Sequence, residues 1–192
     1  MEEEAIVLAS RSPRRVQLLE ELGQKIIVIP ADIDESPHTS EPPVDYVRRL
    51  ALEKAHAVAP QAGGRRVLAA DTTVDMDGTI LGQPVDESDA RRMLRLLSGR
   101  THRVHTGVAV VEPDGSATAV VVTSLVTFVP VTDELLDWYI ATGEWQGKAG
   151  SYAVQGQGAV LVAQVRGPVS NVIGLPLGET ARLLGLVAPS AD

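Results

Sequence analysis

A chain of 192 residues, 44% of them hydrophobic, suffices for one domain, or one domain with a lobe, around a sizeable core. A net charge of −8, with one Phe, three Tyr and two Trp, argues against a nucleic-acid binder, which needs a basic footprint or a stacking platform. No apolar block is long enough to span a membrane, and the absence of cysteine excludes disulfides, thiolate catalysis and Cys-ligated zinc. The acidic run Met1-Glu2-Glu3-Glu4 reads as no secretory leader, and the whole fits a cytoplasmic protein.

In chain order, Ile6-Val7-Leu8-Ala9 predicts a buried strand, and Val16 to Leu22 an amphipathic helix stopped by Gly23. Between them lies Ser10-Arg11-Ser12-Pro13-Arg14-Arg15. Ser12 falls at the N-cap, Pro13 at the first helical position, and Arg14 and Arg15 in the first turn. Arginines are unfavourable at the positive end of a helix. They make sense if an anion sits among them, held by backbone N–H groups, the Ser10 and Ser12 hydroxyls and the guanidinium forks. The other reading is a solvated basic turn.

Lys25 to Ala31 predicts a second strand, followed by the polar loop Asp32-Ile33-Asp34-Glu35-Ser36-Pro37. Pro43 to Ala59 is the clearest helix, with Val47, Leu50, Ala51 and Val58 on one face. Lys54 falls on the same stripe and either snorkels to solvent or aims its ammonium into a cleft beside the core. Val67 to Ala70 predicts a short strand ending on Asp71-Thr72-Thr73. A turn at Asp77-Gly78 and a return strand Thr79-Ile80-Leu81 precede Gly82-Gln83-Pro84. Asp86 caps a helix through Leu97, with Asp89 at N3 and Gly99 beyond its end.

Arg103 to Val111 and Ala117 to Val129 predict a long hairpin turning at Asp114-Gly115. Thr132 caps a helix over 133–142, closed by Gly143. A glycine-punctuated segment, Gly147 to Gly158, leads to a strand ending at Val165, a loop at 167–171 and a last helix from about Pro176 to Leu184. A loose tail is expected from Pro189. Strands alternating with helices, around a central hairpin, predict an α/β fold with a mixed sheet and helices on both faces.

Polar residues just beyond strand ends recur at 10–15, 34–35, 71–72 and 148–155. In α/β sheets ligands gather at the carboxyl ends of strands. Phosphate-type ligands (Arg14, Arg15, Lys54, Lys148) accompany carboxylates (Glu35, Asp71), a pairing suited to a polyphosphate bridged by a divalent metal. No Walker motif, G-x-G-x-x-G fingerprint or G-x-S-x-G elbow is present. His102 and His105 are three apart on a predicted strand and face opposite sides, which argues against a metal pair. From the residues alone the reading stops at an α/β domain handling a polyphosphate with a divalent metal.

The chain resembles the Maf family of nucleoside triphosphate pyrophosphatases over nearly its whole length. The resemblance is carried by Leu8-Ala9-Ser10-Arg11-Ser12-Pro13-Arg14-Arg15, Tyr46 to Ala51 with Lys54-Ala55, Ala70-Asp71-Thr72, and Met93-Leu94 with Leu97-Ser98-Gly99. Lys148-Ala149-Gly150-Ser151-Tyr152 with Gln155-Gly156, and Asn171 to Leu177, complete it. It implies a Maf/ITPase-like fold with a mixed central sheet, flanking helices and a cleft between two lobes, forming one domain over 1–192 that assembles as a homodimer. It also implies a divalent cation, magnesium or manganese, and hydrolysis of nucleoside triphosphates to the monophosphate and pyrophosphate.

The version of the late motif from Tyr152 to Gly156 resembles the branch acting on dTTP and UTP. Carried over by position, Asp71 is the catalytic acid/base. Arg14, Thr72 and Gln155 match positions tied to substrate choice, and Ser10, Arg15, Glu35, Lys54 and Lys148 line the phosphate and metal region, with Glu35 and Asp71 on the metal. Where the family commonly has Gly-Lys-Pro, this chain has Gly82-Gln83-Pro84, so Gln83 stands where a phosphate-binding lysine is expected. Two rival functions stand beside it: a nucleotide-binding regulator of septum formation, which the family suggests, and purine-directed clean-up of inosine-type nucleotides, which the fold would permit.

Overall fold

The polypeptide, seen in a computed structural model, is described here over residues 5–188, so the tail expected from Pro189 lies outside the described residues. Seven strands and six α-helices alternate along it: β1 (Ile6–Leu8), α1 (Pro13–Glu21), β2 (Ile26–Val28), α2 (Pro43–Val58), β3 (Val67–Met76), β4 (Thr79–Leu81) and α3 (Glu87–Leu97). Then come β5 (Thr101–Val111), β6 (Ala117–Phe128), α4 (Asp133–Ala141), β7 (Val162–Arg166), α5 (Val169–Ile173) and α6 (Leu177–Leu183). The strands form one mixed sheet in the order β2-β1-β3-β5-β6-β7, with β4 paired to β3. β1 runs parallel to β2 and to β3, with Leu8 opposite Val28 and Leu68, while β3–β4 and β6–β7 are antiparallel. Among the described residues no helix is long and apolar enough to cross a membrane.

The chain divides into two compact units, with boundaries inside β3, β5 and β6 and a fourth between Ile173 and Gly174. The first holds the described residues up to Asp71, Thr106–Val122 and those from Gly174 onward. Its core is built from small and β-branched side chains: Val7 and Ala9, Ala51, Ala55 and Val58 of α2, Val67 and Ala69 of β3, and Ala109 and Val111 of β5. Such short side chains let α2 lie close to the sheet. Gly107 shows how close, since a Cβ there would stand 2.3 Å from the Val47 carbonyl oxygen.

The second unit comprises Thr72–His105 and Thr123–Ile173. Its core is larger-grained, with Met76, Met93, Leu94, Leu97, Phe128, Leu136, Tyr139 and Leu161 packed together. Asp86 caps α3 by accepting the Asp89 amide at 2.8 Å, and Thr132 caps α4 by accepting the Leu135 amide at 3.2 Å, both as predicted.

Three expectations need correction. β3 does not stop at Asp71 but continues to Met76, because Val74 and Met76 bury against the second core while Asp75 finds a buried partner in His105. The 167–171 loop contains α5, a short helix that starts just after Gly167-Pro168. The Ser12 hydroxyl makes no capping bond; its amide instead donates to Ser10 Oγ at 3.2 Å.

Candidate active site

The first unit gathers six of the predicted residues: Ser10, Arg14, Arg15, Glu35, Lys54 and Asp71. β1 ends at Leu8, and the turn that follows carries Ser10, only 7% exposed, into α1, where Pro13 opens the helix. Arg15 folds back over this turn: its Nη1 donates to Ser10 Oγ at 3.0 Å and its Nε to the Gly174 carbonyl at 2.9 Å. Arg14 stands beside it in the first turn, partly buried. Burial draws the Arg15 guanidinium below its ordinary pKa; Asp71 opposes this, Arg14 adds to it and Glu35 opposes it.

Lys54 settles its own two readings. It sits on the buried stripe of α2 and does not snorkel, being 8% exposed. Its Nζ lies 2.6 Å from Asp71 Oδ1 and 3.0 Å from Glu35 Oε1. Tyr46, about two turns earlier on α2, donates its hydroxyl to the Glu35 carbonyl at 2.9 Å and so fixes the loop that brings Glu35 in. Asp71 is buried, and burial pushes its carboxyl above the ordinary carboxylate range against the pull of Lys54 and Arg15. A buried ammonium between two carboxylates is a costly arrangement unless each charge is paired, and here each is.

The same geometry tests the implied metal. Two carboxylates converge on one cationic centre, which Lys54 Nζ fills, so their oxygens are placed to share a charge. Magnesium and manganese take oxygen donors and typically need only one or two protein carboxylates beside substrate phosphates. Among the described residues no group of three or more His, Asp or Glu is arranged to hold a metal. Asp71 and Glu35 therefore fit a metal completed by substrate oxygens rather than an all-protein cage.

The second unit holds Thr72, Gln83, Lys148 and Gln155. The Gly150 amide donates to the Gly82 carbonyl at 3.1 Å, so the Gln83 loop lies against the Lys148 turn. Gly150 is seated there in left-handed backbone, at φ 67°, where a Cβ would meet Val74 Cγ2 at 2.7 Å. Gln83 and Gln155 are exposed, and Lys148 Nζ donates to the Glu144 carbonyl. Tyr152 is buried, with its hydroxyl 2.8 Å from His102 Nε2 and its ring edge-on to both His102 and Phe128.

Two networks in this unit escaped the sequence reading. Asp75, His105 and Thr123 are linked, with His105 Nε2 3.1 Å from Asp75 Oδ2 and Nδ1 2.8 Å from Thr123 Oγ1. Glu144 binds the amides of Gln157 and Gly158. The glycines at 156 and 158 were the signal for the second, and nothing local signalled the first. His102 and His105 enter separate surroundings.

A family model described as "Maf-like protein" matches residues 5–187. The chain belongs to the Maf family. Among curated Maf relatives, a dTTP/UTP pyrophosphatase of Anaeromyxobacter dehalogenans (strain 2CP-C) is 54% identical over 183 residues, covering 93% of this chain and 92% of that protein. One of Myxococcus xanthus (strain DK1622) is 51% identical over 179 residues, covering 93% and 90%. Among solved structures, a HAM1 protein from Coxiella burnetii superposes with a TM-score of 0.55 at 18% identity, over 95% of this chain and 99% of that one. A Mycobacterium abscessus structure titled nucleoside-triphosphatase / dITP/XTP pyrophosphatase gives 0.50 at 17% identity, over 95% and 94%. At such identities the structural likeness speaks for the fold that Maf and HAM1 proteins share.

Proposed function

We propose that this Maf protein hydrolyses dTTP and UTP to the monophosphate and pyrophosphate, as a house-cleaning enzyme of the cytoplasm, working as a homodimer with magnesium or manganese. What carries the reading is the buried Asp71–Lys54 pair, joined by the exposed Glu35, in the same unit as the Arg14-Arg15 turn, in a chain 46–54% identical to relatives named dTTP/UTP pyrophosphatases. Cations for phosphate oxygens and a buried carboxylate for a proton are the two things that cleavage of a phosphoric anhydride asks of a protein.

The residues divide the work. Arg14, Arg15 and Ser10, at the start of α1, receive triphosphate oxygens; in the second unit, Lys148 and Gln83 are the residues of phosphate-binding type. Arg14, Thr72 and Gln155 each stand at positions tied to substrate choice. A water attacks the α-phosphorus while the bond from that phosphorus to the oxygen bridging the α and β phosphates breaks, and pyrophosphate leaves. Asp71 accepts the water's proton, for which its raised pKa suits it better than an ordinary aspartate. Lys54, 2.6 Å from Asp71 Oδ1, orients that carboxylate and holds it ionised before the transfer. A divalent metal held by Asp71 and Glu35 would supply charge neutralisation for the polyphosphate.

The test is product analysis with purified protein across canonical and modified nucleoside triphosphates, with chelator and then magnesium or manganese added back. Pyrophosphate with dTMP or UMP is expected, dependent on metal. Orthophosphate as first product would overturn the cleavage site. Release of neither product from any triphosphate would favour the nucleotide-binding regulator, and preference for inosine nucleotides would favour the purine reading. Sedimentation at working concentration checks the dimer.

A further inference from the structure

A glutamate just past a helix stop reads as surface, but Glu144 turns inward on its own segment. Gly143 closes α4 in left-handed backbone, φ 70°, and the Glu144 amide donates to Thr142 Oγ1 at 3.0 Å. The side chain then accepts two amides, Gln157 N on Oε1 at 3.1 Å and Gly158 N on Oε2 at 2.6 Å. Its main-chain carbonyl accepts the Lys148 ammonium at 2.5 Å. A single residue thus grips both ends of the segment from Lys148 to Gly158, which contains Gln155.

The two glycines are cut to this carboxylate. At Gly156, φ 69°, a Cβ would lie 2.3 Å from Glu144 Oε1. At Gly158 it would lie 2.3 Å from the Ala153 carbonyl oxygen and 3.0 Å from Glu144 Oε2. Any larger residue at either place displaces the carboxylate or the backbone around it. The late Gly-x-Gly is therefore filled by the protein's own anion.

We propose that Glu144 is a positioning residue for the nucleotide, fixing the spacing of Lys148 and Gln155 before substrate arrives. The proposal rests on the function above, in which those two side chains meet the nucleotide. A segment already held need not be ordered on binding, whereas a loosened one must be. Loss of the clamp therefore falls on nucleotide affinity and on discrimination between bases more than on the chemical step.

The experiment uses Glu144→Gln, which keeps the shape but turns an NH₂ group toward one of the two amides. KM for dTTP and UTP is expected to rise about tenfold, the scale of one lost hydrogen bond to a charged group. The expected change in kcat is under about threefold, since the reacting groups are untouched, and the preference for dTTP over GTP should shrink. In a Gln155→Ala background the same change should add little to the loss of preference, because residues acting through one another are not additive. Gly156→Ala, which evicts the carboxylate without deleting it, should reproduce the pattern. An unchanged preference with a lowered Tm, fully additive losses, or failure of both variants to fold by circular dichroism would each make Glu144 a structural residue and overturn the proposal. A wild-type protein that releases no pyrophosphate from dTTP or UTP would instead strike the function itself.

Discussion

As the proposed general base, Asp71 has to be ionised to accept a proton and buried enough to hold one. Burial raises its pKa, Lys54 and Arg15 lower it, and burial wins. Asp71→Asn keeps the shape and can still accept from Lys54 Nζ, but cannot take a proton. Turnover of dTTP should fall by about 10²–10⁴, the usual worth of a general base, with the fold retained because Lys54 keeps Glu35 as a charged partner. A variant keeping more than about half the wild-type rate would reduce Asp71 to a strand residue. In the wild type kcat/KM should fall on the acid side at a pH above the ordinary carboxylate range, and that limb should be missing from the variant. Gln83 poses the opposite question, since it offers an amide where a lysine would offer a charge. Its loop lies against the Lys148 turn through the Gly82–Gly150 hydrogen bond. A charge-assisted bond is about twice as strong as a neutral one, a gap of about 1 kcal/mol. Gln83→Lys should raise kcat/KM for dTTP about fivefold, with the gain fading at high salt because the position is exposed. A tenfold drop would show that Gln83 makes a specific neutral contact.

At the scale of elements, α2 delivers Lys54, and its height above the sheet is set by one residue of β5. With a Cβ at Gly107 the Val47 carbonyl oxygen would be 2.3 Å away and its carbon 2.6 Å. Both are backbone atoms in a helix and cannot swing aside. Gly107→Ala should therefore cost about 1–3 kcal/mol in urea unfolding, as overpacking does. An unaltered midpoint would mean that α2 shifts without resistance. Elements also show where the sequence was legible. α1, α3 and α4 were readable to within a residue or two at their starts because capping chemistry is local: Pro13, Asp86 and Thr132 act on neighbours a few positions away. β3 was cut short because Asp71-Thr72-Thr73 looks like a loop until His105, from another strand, is seen to meet Asp75. Lys54 stayed ambiguous for the same reason, since the choice between snorkelling and burial depends on Asp71, which only folding brings near. The residues of the first-unit cluster were named from sequence, while their pairing was not.

At the scale of the whole molecule, His102 and Glu41 should each contribute to the acid limb of stability, over different pH windows. His102 in the second unit is 2% exposed, and burial pushes its pKa from 6.5 down to about 4. Its Nε2 shares a proton with the Tyr152 hydroxyl, while Nδ1 has no hydrogen-bond partner to stabilise a second one. The folded state thus keeps the ring neutral where the unfolded chain takes up a proton, so stability falls as pH drops from about 6.5 toward 4. The loss over that window is of the order of 3 kcal/mol. Glu41 in the first unit behaves with the usual carboxylate sign. The Arg49 guanidinium, paired with it at 2.7 Å, holds it near 2 instead of 4.5, so its contribution is present above about 4.5 and lost as pH falls toward 2. Trp138 and Trp145 both lie in the second unit, and no other tryptophan exists in the chain, so their fluorescence reports the unit that contains His102. In urea titrations followed by that signal, the wild-type midpoint should fall between pH 6.5 and 4, and the fall should be absent in His102→Gln even though this variant starts less stable at pH 7. A Glu41→Gln variant should leave that window untouched and flatten only the limb below about pH 4.5. If His102→Gln keeps the full wild-type slope between pH 6.5 and 4, the buried imidazole is not what makes the fold acid-sensitive.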